Sequence, residues 1–88
     1  MMTALVVDDE PLARRALATM IAASSHVREV GQAADGISAL PLVKTLSPDL
    51  IFLDIEMPEM DGLAVLRHLR SLSSPPLPIF TTAYDQYA

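Results

Sequence analysis

Carboxylates follow two aliphatic runs that have the length and composition of buried strands. The run at 4–7 leads directly into Asp8 and Asp9, and the run at 50–53 leads into Asp54. Runs of this kind fit parallel strands that are covered on both faces. If the two strands are neighbours, the three aspartates share one small pocket, where like charges repel and raise each other's pKa. A bound cation relieves that repulsion, and carboxylate oxygens suit Mg²⁺. A metal beside an exposed aspartate indicates phosphoryl chemistry.

The composition limits the class of protein. The chain has 88 residues and no cysteine, which predicts one small domain without disulfides. Hydrophobic residues make up 51% of it with few aromatics, so we expect an aliphatic α/β core. A net charge of −5 argues against direct contact of this segment with nucleic acid. No apolar run approaches the roughly 20 residues that span a bilayer, and no signal peptide is evident, so we expect no membrane contact and a cytoplasmic location.

The hydrophobic pattern alternates between strands and helices. Strands are expected at 4–7, 27–33, 50–53 and 78–82, and helices from 11 to about 23, 37–46, 62–72 and from 84 onward. Such alternation predicts an α/β fold with a doubly wound parallel sheet and helices on both faces. In the flavodoxin-like strand order, ligands bind at the carboxyl ends of the first and third strands. Those are the two strands that end in the aspartates.

Several local expectations follow from residue types. Pro41 lies inside the second helix, where proline costs about 3 kcal/mol, so we expect that helix to be short, bent or restarted. Glu10 and Asp35 are expected as helix caps, and Asp61 as a solvated loop acid. Gly62 is expected to permit a tight approach of backbone at the start of the third helix. Arg14 and Arg15 are expected on a solvated face of the first helix or, as the alternative, on a docking face. We also expect surface positions for His26 and His68 and loop packing for Met57 and Met60. The first helix should bury an apolar stripe of Leu12, Ala13, Ala16, Leu17, Met20 and Ile21. The third should present Leu63, Leu66 and Leu69 on one face.

These residues together resemble the receiver domain of two-component response regulators. The matching stretches are 7–11, 48–58, 60–63 and 82–83, and their order and spacing also fit. Each stretch alone is a weak signal, whereas the set is highly specific. The resemblance covers residues 1–88 as one receiver domain. The ending at 81–88 also resembles the subgroup of regulators whose output domain is a LytTR-type DNA-binding domain.

The resemblance implies a role for each site residue. Asp54 would accept a phosphoryl group from a sensor histidine kinase. Asp9 would bind Mg²⁺ directly, Asp8 would bind it indirectly or through water, and Glu56 would offer its backbone carbonyl. Thr82 would contact the phosphoryl group through its hydroxyl and shift when Asp54 is modified. An output domain that is absent from this chain would then contact DNA and regulate transcription.

The sequence departs from the family pattern at its end. The resemblance implies a fifth strand and a last helix that this chain lacks, together with a lysine from that strand. Lys44, the only lysine, belongs to the second helix and does not replace it. The fourth strand would then expose Ile79 and Phe80 at an edge, which favours pairing with another chain. We therefore expect a homodimer, formed through that edge or by exchange of elements.

Other functions stay open from the sequence alone. The leading interpretation is a switch that catalyses only its own phosphotransfer and dephosphorylation, not a metabolic enzyme. One alternative is a truncated or degenerate receiver that serves only in protein interaction or dimerisation. Another is a haloacid-dehalogenase-like phosphatase, but that class needs an aspartate where this chain has Glu56. A flavin-binding module is the weakest alternative, because no phosphate-binding loop is evident.

Overall fold

Strands and helices alternate through the whole of the described chain. The computed structural model describes residues 1–57 and 60–81. The strands are β1 (Met2–Val7), β2 (Val27–Ala33), β3 (Leu50–Asp54) and β4 (Leu77–Thr81), and the helices are α1 (Pro11–Ala22), α2 (Gly36–Leu46) and α3 (Gly62–Leu69). Thr82 and the helix expected from residue 84 lie outside the described residues. Within the described ranges, no helix is long and apolar enough to cross a membrane.

The four strands form one parallel sheet in the order β2-β1-β3-β4. This is the doubly wound, flavodoxin-like order that the sequence predicts. Because β1 and β3 are neighbours, their carboxyl ends meet at the point where the winding reverses. Val7 pairs with Leu53 in the register of the two strands. The residues that follow Val7 and Leu53 therefore emerge side by side.

The core lies mainly between the sheet and the helices α2 and α3. Its buried residues are Leu5, Val7, Ala33, Ala39, Val43, Ile51, Leu53, Met57, Val65 and Leu69. β1 is the most covered strand, since every residue from Thr3 to Val7 is buried. In β3 only alternate residues are buried, while Leu50 and Phe52 are half-buried. The expectation of strands covered on both faces is thus confirmed for β1 and is wrong for part of β3.

The start of β1 and the start of β3 are joined by a reciprocal pair of hydrogen bonds. The backbone N–H of Asp49 donates to the carbonyl oxygen of Thr3 at 2.8 Å. In return, Asp49 Oδ2 accepts a hydrogen bond from the backbone N–H of Thr3 at 2.9 Å. The guanidinium of Arg28 also donates to the Thr3 hydroxyl at 3.2 Å. These contacts lie at the amino ends of the strands, whereas the aspartates lie at the carboxyl ends.

Side chains at the helix starts supply part of the capping. Asp35 caps α2 as predicted, because its carboxylate accepts a hydrogen bond from the Ser38 N–H at 2.7 Å. Asp61 is not merely a solvated acid: it caps α3 by accepting from the Ala64 N–H at 2.8 Å. Glu10 occupies the cap position of α1, but its side chain makes no capping bond there.

Three expectations about the helices are wrong. α2 is neither short nor restarted, because its 11 residues run without interruption through Pro41; a bend there stays a prediction. Pro41 is the sixth residue of the helix, so its missing N–H removes one interior hydrogen bond without ending the helix. α3 ends at Leu69 instead of 72, and it buries Val65 and Leu69 while Leu63 is half exposed.

The apolar stripe expected on α1 is also wrong in part. Leu12 is 77% exposed and Met20 is 71% exposed, whereas Ala18 is buried. Leu17 and Ile21 are half-buried. The covered face of α1 is therefore rotated from the predicted stripe: it includes Leu17, Ala18 and Ile21, whereas Ala13 and Ala16 are exposed.

Candidate functional site

Asp8, Asp9 and Asp54 converge at the carboxyl edge of the sheet, as the sequence predicts. Each offers a carboxylate oxygen, and these three atoms all lie within 4.8 Å of one another. Asp8 and Asp54 are half-buried and Asp9 is exposed. The convergence follows from the strand order. Val7 and Leu53 are register partners, Asp8 and Asp54 follow them directly, and Asp9 is one residue further along.

The backbone of Asp8 is anchored to two other elements. Its N–H donates to the carbonyl oxygen of Ala33, the last residue of β2, at 3.1 Å. Its carbonyl oxygen accepts from Nη1 of Arg14 on α1 at 2.9 Å. Its carboxylate Oδ1 accepts from the N–H of Glu10 at 2.9 Å. These bonds set the direction in which the turn after β1 carries its carboxylates.

Asp54 is held by its own strand and by the turn that follows. Its Oδ1 accepts a hydrogen bond from the backbone N–H of Glu56 at 3.1 Å. On its other side it pairs with Thr81 of β4, and the N–H of Ile55 donates to the Thr81 carbonyl oxygen at 3.3 Å. Thr82, the residue singled out in the sequence, follows Thr81 directly but lies outside the described residues.

The charge of Asp54 is incompletely compensated by the protein. The pKa of Asp54 is raised from 3.8 to about 6, mainly by partial burial and also by the nearby carboxylates of Asp8 and Asp9, against the hydrogen bond from the Glu56 N–H that lowers it. A carboxyl group in this state gains from a cation beside it. The same environment keeps Asp54 deprotonated only above mildly acidic pH, unless such a cation is bound.

The donor set fits Mg²⁺. Oxygens around an octahedral Mg²⁺ lie about 2.1 Å from the ion, which places neighbouring ligands about 3 Å apart and opposite ones about 4.2 Å apart. The carboxylate oxygens of Asp8, Asp9 and Asp54 all lie within 4.8 Å of one another, which is close to the separation of opposite ligands. Three carboxylates also provide the hard oxygen ligands that this ion prefers. Glu56, expected to contribute a backbone carbonyl, stays a prediction; its N–H contacts Asp54.

Gly62 lets α3 begin directly against the backbone of Asp54. A Cβ at Gly62 would lie 2.7 Å from the Asp54 carbonyl oxygen and 3.2 Å from the Ile55 Cα. The Gly62 N–H donates to the carbonyl oxygen of Ile55 at 3.2 Å. Glycine is therefore required by close backbone approach, as the sequence indicated. Met57 and Met60, expected to pack in this loop, contact the core: Met57 is buried and Met60 is half-buried.

One residue contacts the site although the sequence did not predict that contact. Arg14 was interpreted as a surface residue of α1, either solvated or part of a docking face, yet its guanidinium bonds the turn that carries Asp8. The available signal was its position: a long side chain in the second turn of a helix points back toward the helix start. His26 and His68, expected at the surface, are both exposed.

The fold and the acidic cluster define a doubly wound α/β domain with a candidate cation site at its carboxyl edge, and sequence comparison identifies the family. The model of the response regulator receiver domain matches residues 4–88, so the chain belongs to that family. It is 40% identical over 88 residues to the transcriptional regulatory protein BtsR of Salmonella typhi. It is 38% identical over 88 residues to the sensory transduction protein LytT of Bacillus subtilis. These matches cover 100% of this chain and 36% of each relative, so the chain spans about a third of their length.

A solved receiver structure shows the same architecture. The response regulator protein TrrA of Thermotoga maritima, crystallised in complex with Mg²⁺ and BeF, is 37% identical in sequence and superimposes with a TM-score of 0.85. The match covers 99% of this chain and 74% of that one. The flavodoxin-like receiver fold expected from the sequence is thereby confirmed for the four strands and three helices described.

Proposed function

We propose that this chain is a phosphoacceptor receiver in which Asp54 takes a phosphoryl group from a phosphohistidine of a sensor histidine kinase. The observation that carries the proposal is the convergence of Asp8, Asp9 and Asp54, with ligand oxygens within 4.8 Å, in a chain of the receiver family. An acceptor carboxylate beside a cation site accounts for three acids at this edge despite their mutual repulsion.

Asp54 acts as the nucleophile. One of its carboxylate oxygens forms a bond to phosphorus while the phosphorus–nitrogen bond of the phosphohistidine breaks and leaves its electron pair on the ring nitrogen. The products are an acyl phosphate and a neutral histidine on the kinase, whose ring carries one N–H after exchange of protons with water. The N–H of Glu56 holds Oδ1 and so fixes the rotation of the carboxylate. Partial burial raises the pKa of Asp54 to about 6, so the nucleophilic form predominates near neutral pH.

Asp9 and Asp54 would hold the Mg²⁺ cofactor directly and Asp8 indirectly or through water, with the backbone carbonyl of Glu56 completing the protein ligands. When bound, the ion neutralises charge that develops on the phosphoryl oxygens. The comparison structure of TrrA, which was solved in complex with Mg²⁺ and BeF, supports this assignment. Thr82 would then contact the phosphoryl group; its neighbour Thr81 pairs with Asp54, which supports that role.

The output of the switch would be regulation of transcription through a LytTR-type DNA-binding domain outside this chain. The names of the relatives BtsR and LytT support this part of the proposal. The receiver itself would act in the cytoplasm. It would make no direct contact with nucleic acid, and it would catalyse no reaction beyond its own phosphorylation and dephosphorylation.

Intact-mass measurement tests the phosphoacceptor role. The chain is incubated with acetyl phosphate and Mg²⁺, beside the variant Asp54→Asn and a sample with EDTA. A single added phosphoryl group in the wild type, absent from both controls, is the expected result. A folded wild type that gains no phosphoryl group would contradict the role. Multiple turnover on a generic phosphate ester would instead favour the phosphatase class.

A second candidate function is dimerisation through β4, and the exposure of that strand favours it. Leu77 is 61% exposed, and Ile79 and Phe80 are each 38% exposed, on a strand that pairs only with β3 among the described residues. Exposed apolar edges favour strand pairing, here with a second copy of the chain. Light scattering over a concentration series should show a dimer that Ile79→Lys weakens. Leu12→Lys, which changes an exposed leucine of α1, should leave it intact, and a monomer at every concentration would rule it out.

A further inference from the structure

The side chain of Arg14 binds the peptide group that precedes Asp9. Its guanidinium Nη1 donates to the carbonyl oxygen of Asp8 at 2.9 Å. Its backbone N–H donates to the carbonyl oxygen of Glu10 at 2.9 Å, which is the ordinary first hydrogen bond of the helix. The guanidinium bond is therefore the contact specific to arginine, and it restrains the backbone next to Asp9, the residue expected to contact the cation directly.

The guanidinium bond completes a set of anchors on Asp8. β1 ends at Val7, so the carbonyl of Asp8 lies beyond the last register pair of the sheet. The Asp8 N–H is bonded to Ala33 and its carboxylate to the Glu10 N–H. Arg14 supplies the donor for the remaining group, the carbonyl oxygen. With that bond, the turn after β1 is hydrogen-bonded to both β2 and α1.

The contact leaves the cation-binding atoms available. Arg14 bonds the carbonyl of Asp8 and not one of its carboxylate oxygens. A guanidinium stays charged at all ordinary pH values and presents its donors in a fixed planar fork. It can therefore hold the turn of Asp8, Asp9 and Glu10 in one conformation without competing for the carboxylate oxygens that would bind a metal ion.

We infer that Arg14 is a positioning residue for the Mg²⁺ site, acting through the Asp8 carbonyl to hold Asp8 and Asp9 in the ligand arrangement. The inference rests on the proposed function, since it concerns the same site. Residues that orient metal ligands commonly change metal affinity by about 10- to 100-fold when they are replaced. Arg14 has the half-buried position and the directed hydrogen bond of such a residue.

A purely electrostatic role for Arg14 would have the opposite sign. A fixed positive charge near the carboxylates repels Mg²⁺, so removing the charge alone would tighten binding. Removing an orienting hydrogen bond loosens the ligands and weakens binding. The direction of the change in affinity therefore separates the two roles.

Calorimetric titration of the chain with MgCl₂ at fixed ionic strength tests the inference. Arg14→Gln removes the charge and the reach of the side chain, and Arg14→Lys keeps the charge but loses the planar fork. Arg15→Gln is the matched control, because it removes the same charge from the next residue of α1, which is exposed. We expect Arg14→Gln to raise the dissociation constant about 10-fold, Arg14→Lys to raise it by a smaller factor, and Arg15→Gln to leave it within about 2-fold.

Equal or tighter Mg²⁺ binding by Arg14→Gln would overturn the inference. So would an Arg15→Gln variant that loses as much affinity, because the loss would then not depend on the hydrogen bond from Arg14 to the Asp8 carbonyl. Circular dichroism establishes that each variant is folded; if Arg14→Gln is not, Arg14→Lys decides, and wild-type affinity there would overturn the inference. A wild type that binds no Mg²⁺ would overturn the proposed cofactor as well, whereas unchanged variants beside a binding wild type would overturn this inference alone.

Discussion

Gly62, the first residue of α3, lies directly against the backbone of Asp54, the residue at the centre of the site. A Cβ added to Gly62 would approach the Asp54 carbonyl oxygen to 2.7 Å. The helix that covers one side of the sheet and the acceptor residue are therefore in direct backbone contact. Any change that moves the start of α3 also moves the end of β3.

Replacing Gly62 by alanine should destabilise the chain although alanine is the better helix former. Alanine gains up to about 1 kcal/mol in helix propensity, but the Cβ would contact rigid backbone atoms of Asp54 and Ile55. Such overpacking typically costs about 1–3 kcal/mol, so we expect a net loss measurable by urea unfolding. Phosphorylation by acetyl phosphate should slow as well, because Asp54 is displaced.

Gly31→Ala serves as the control for Gly62→Ala. A Cβ there would meet the Leu46 Cδ1 atom, at the flexible end of a side chain, at 2.5 Å. Since that side chain can rotate away, Gly31→Ala should cost less than Gly62→Ala. Equal stability of Gly62→Ala and the wild type would show that the helix start can move freely.

The stability contributed by Asp54 should depend on pH. Its pKa rises from 3.8 to about 6 on folding, so the folded state binds more protons than the unfolded state between those values. The free energy of unfolding should therefore fall as pH rises from about 4 to about 6 and stay low above that window. The cost is absent below about pH 4, where the carboxyl group is protonated in both states.

Asp54→Asn should remove this dependence. Asparagine keeps an oxygen that can accept from the Glu56 N–H but carries no charge. In EDTA, we expect the variant to melt at a higher temperature than the wild type at pH 7–8 and at a similar temperature near pH 4. A difference between the two proteins that stays constant across this range would contradict the raised pKa.

Asp9→Asn should change stability only when Mg²⁺ is present. Asp9 is exposed, so the substitution should have a small effect in EDTA. A ligand that binds the folded state stabilises it by RT ln(1 + [L]/Kd), and a tenfold loss of affinity removes about 1.4 kcal/mol at saturating ion. The rise in Tm on adding Mg²⁺ should be clearly smaller in Asp9→Asn than in the wild type.

Glu29→Gln is the matched control for Asp9→Asn, because Glu29 is an exposed acid on β2 with the same charge. It should keep the full rise in Tm with Mg²⁺. If both variants lost the same part of the rise, the ion would be responding to net charge and not to a site at the carboxyl edge.

Much of the site was predictable because it depends on strand order more than on side-chain detail. The aliphatic runs before Asp8 and Asp54 predict strands, and the alternation with helices leaves few parallel topologies. Once the first and third strands are neighbours, the acids must meet. Asp35 was likewise recognisable as a cap from its residue type and its place before a helix.

The parts that were missed depend on tertiary contacts. Leu12 and Met20 belong to the apolar stripe of α1, but the helix turns a different face, centred on Ala18, toward the rest of the chain. Arg14 and Asp61 were assigned to solvent because their partners, a strand-end carbonyl and a helix N–H, are set by the folded backbone. Charged residues near helix starts can thus have partners that spacing alone does not reveal.

Asp49→Ala should lower stability without affecting the carboxyl-edge site. Asp49 Oδ2 accepts from the N–H of Thr3, a residue that is 1% exposed, so alanine leaves a donor of β1 without that partner. A lost bond of this kind costs about 1–3 kcal/mol, with the low end expected because Asp49 itself is exposed to water. Asp49→Asn retains an oxygen acceptor and should lose less. Urea unfolding should therefore rank the proteins, from most to least stable, as wild type, Asp49→Asn and Asp49→Ala. Calorimetry should give all three the same Mg²⁺ affinity, because Asp49 and Thr3 lie at the amino ends of the strands, away from the aspartates. Weaker Mg²⁺ binding in Asp49→Ala would mean that the two ends of the strands are coupled through β1 and β3.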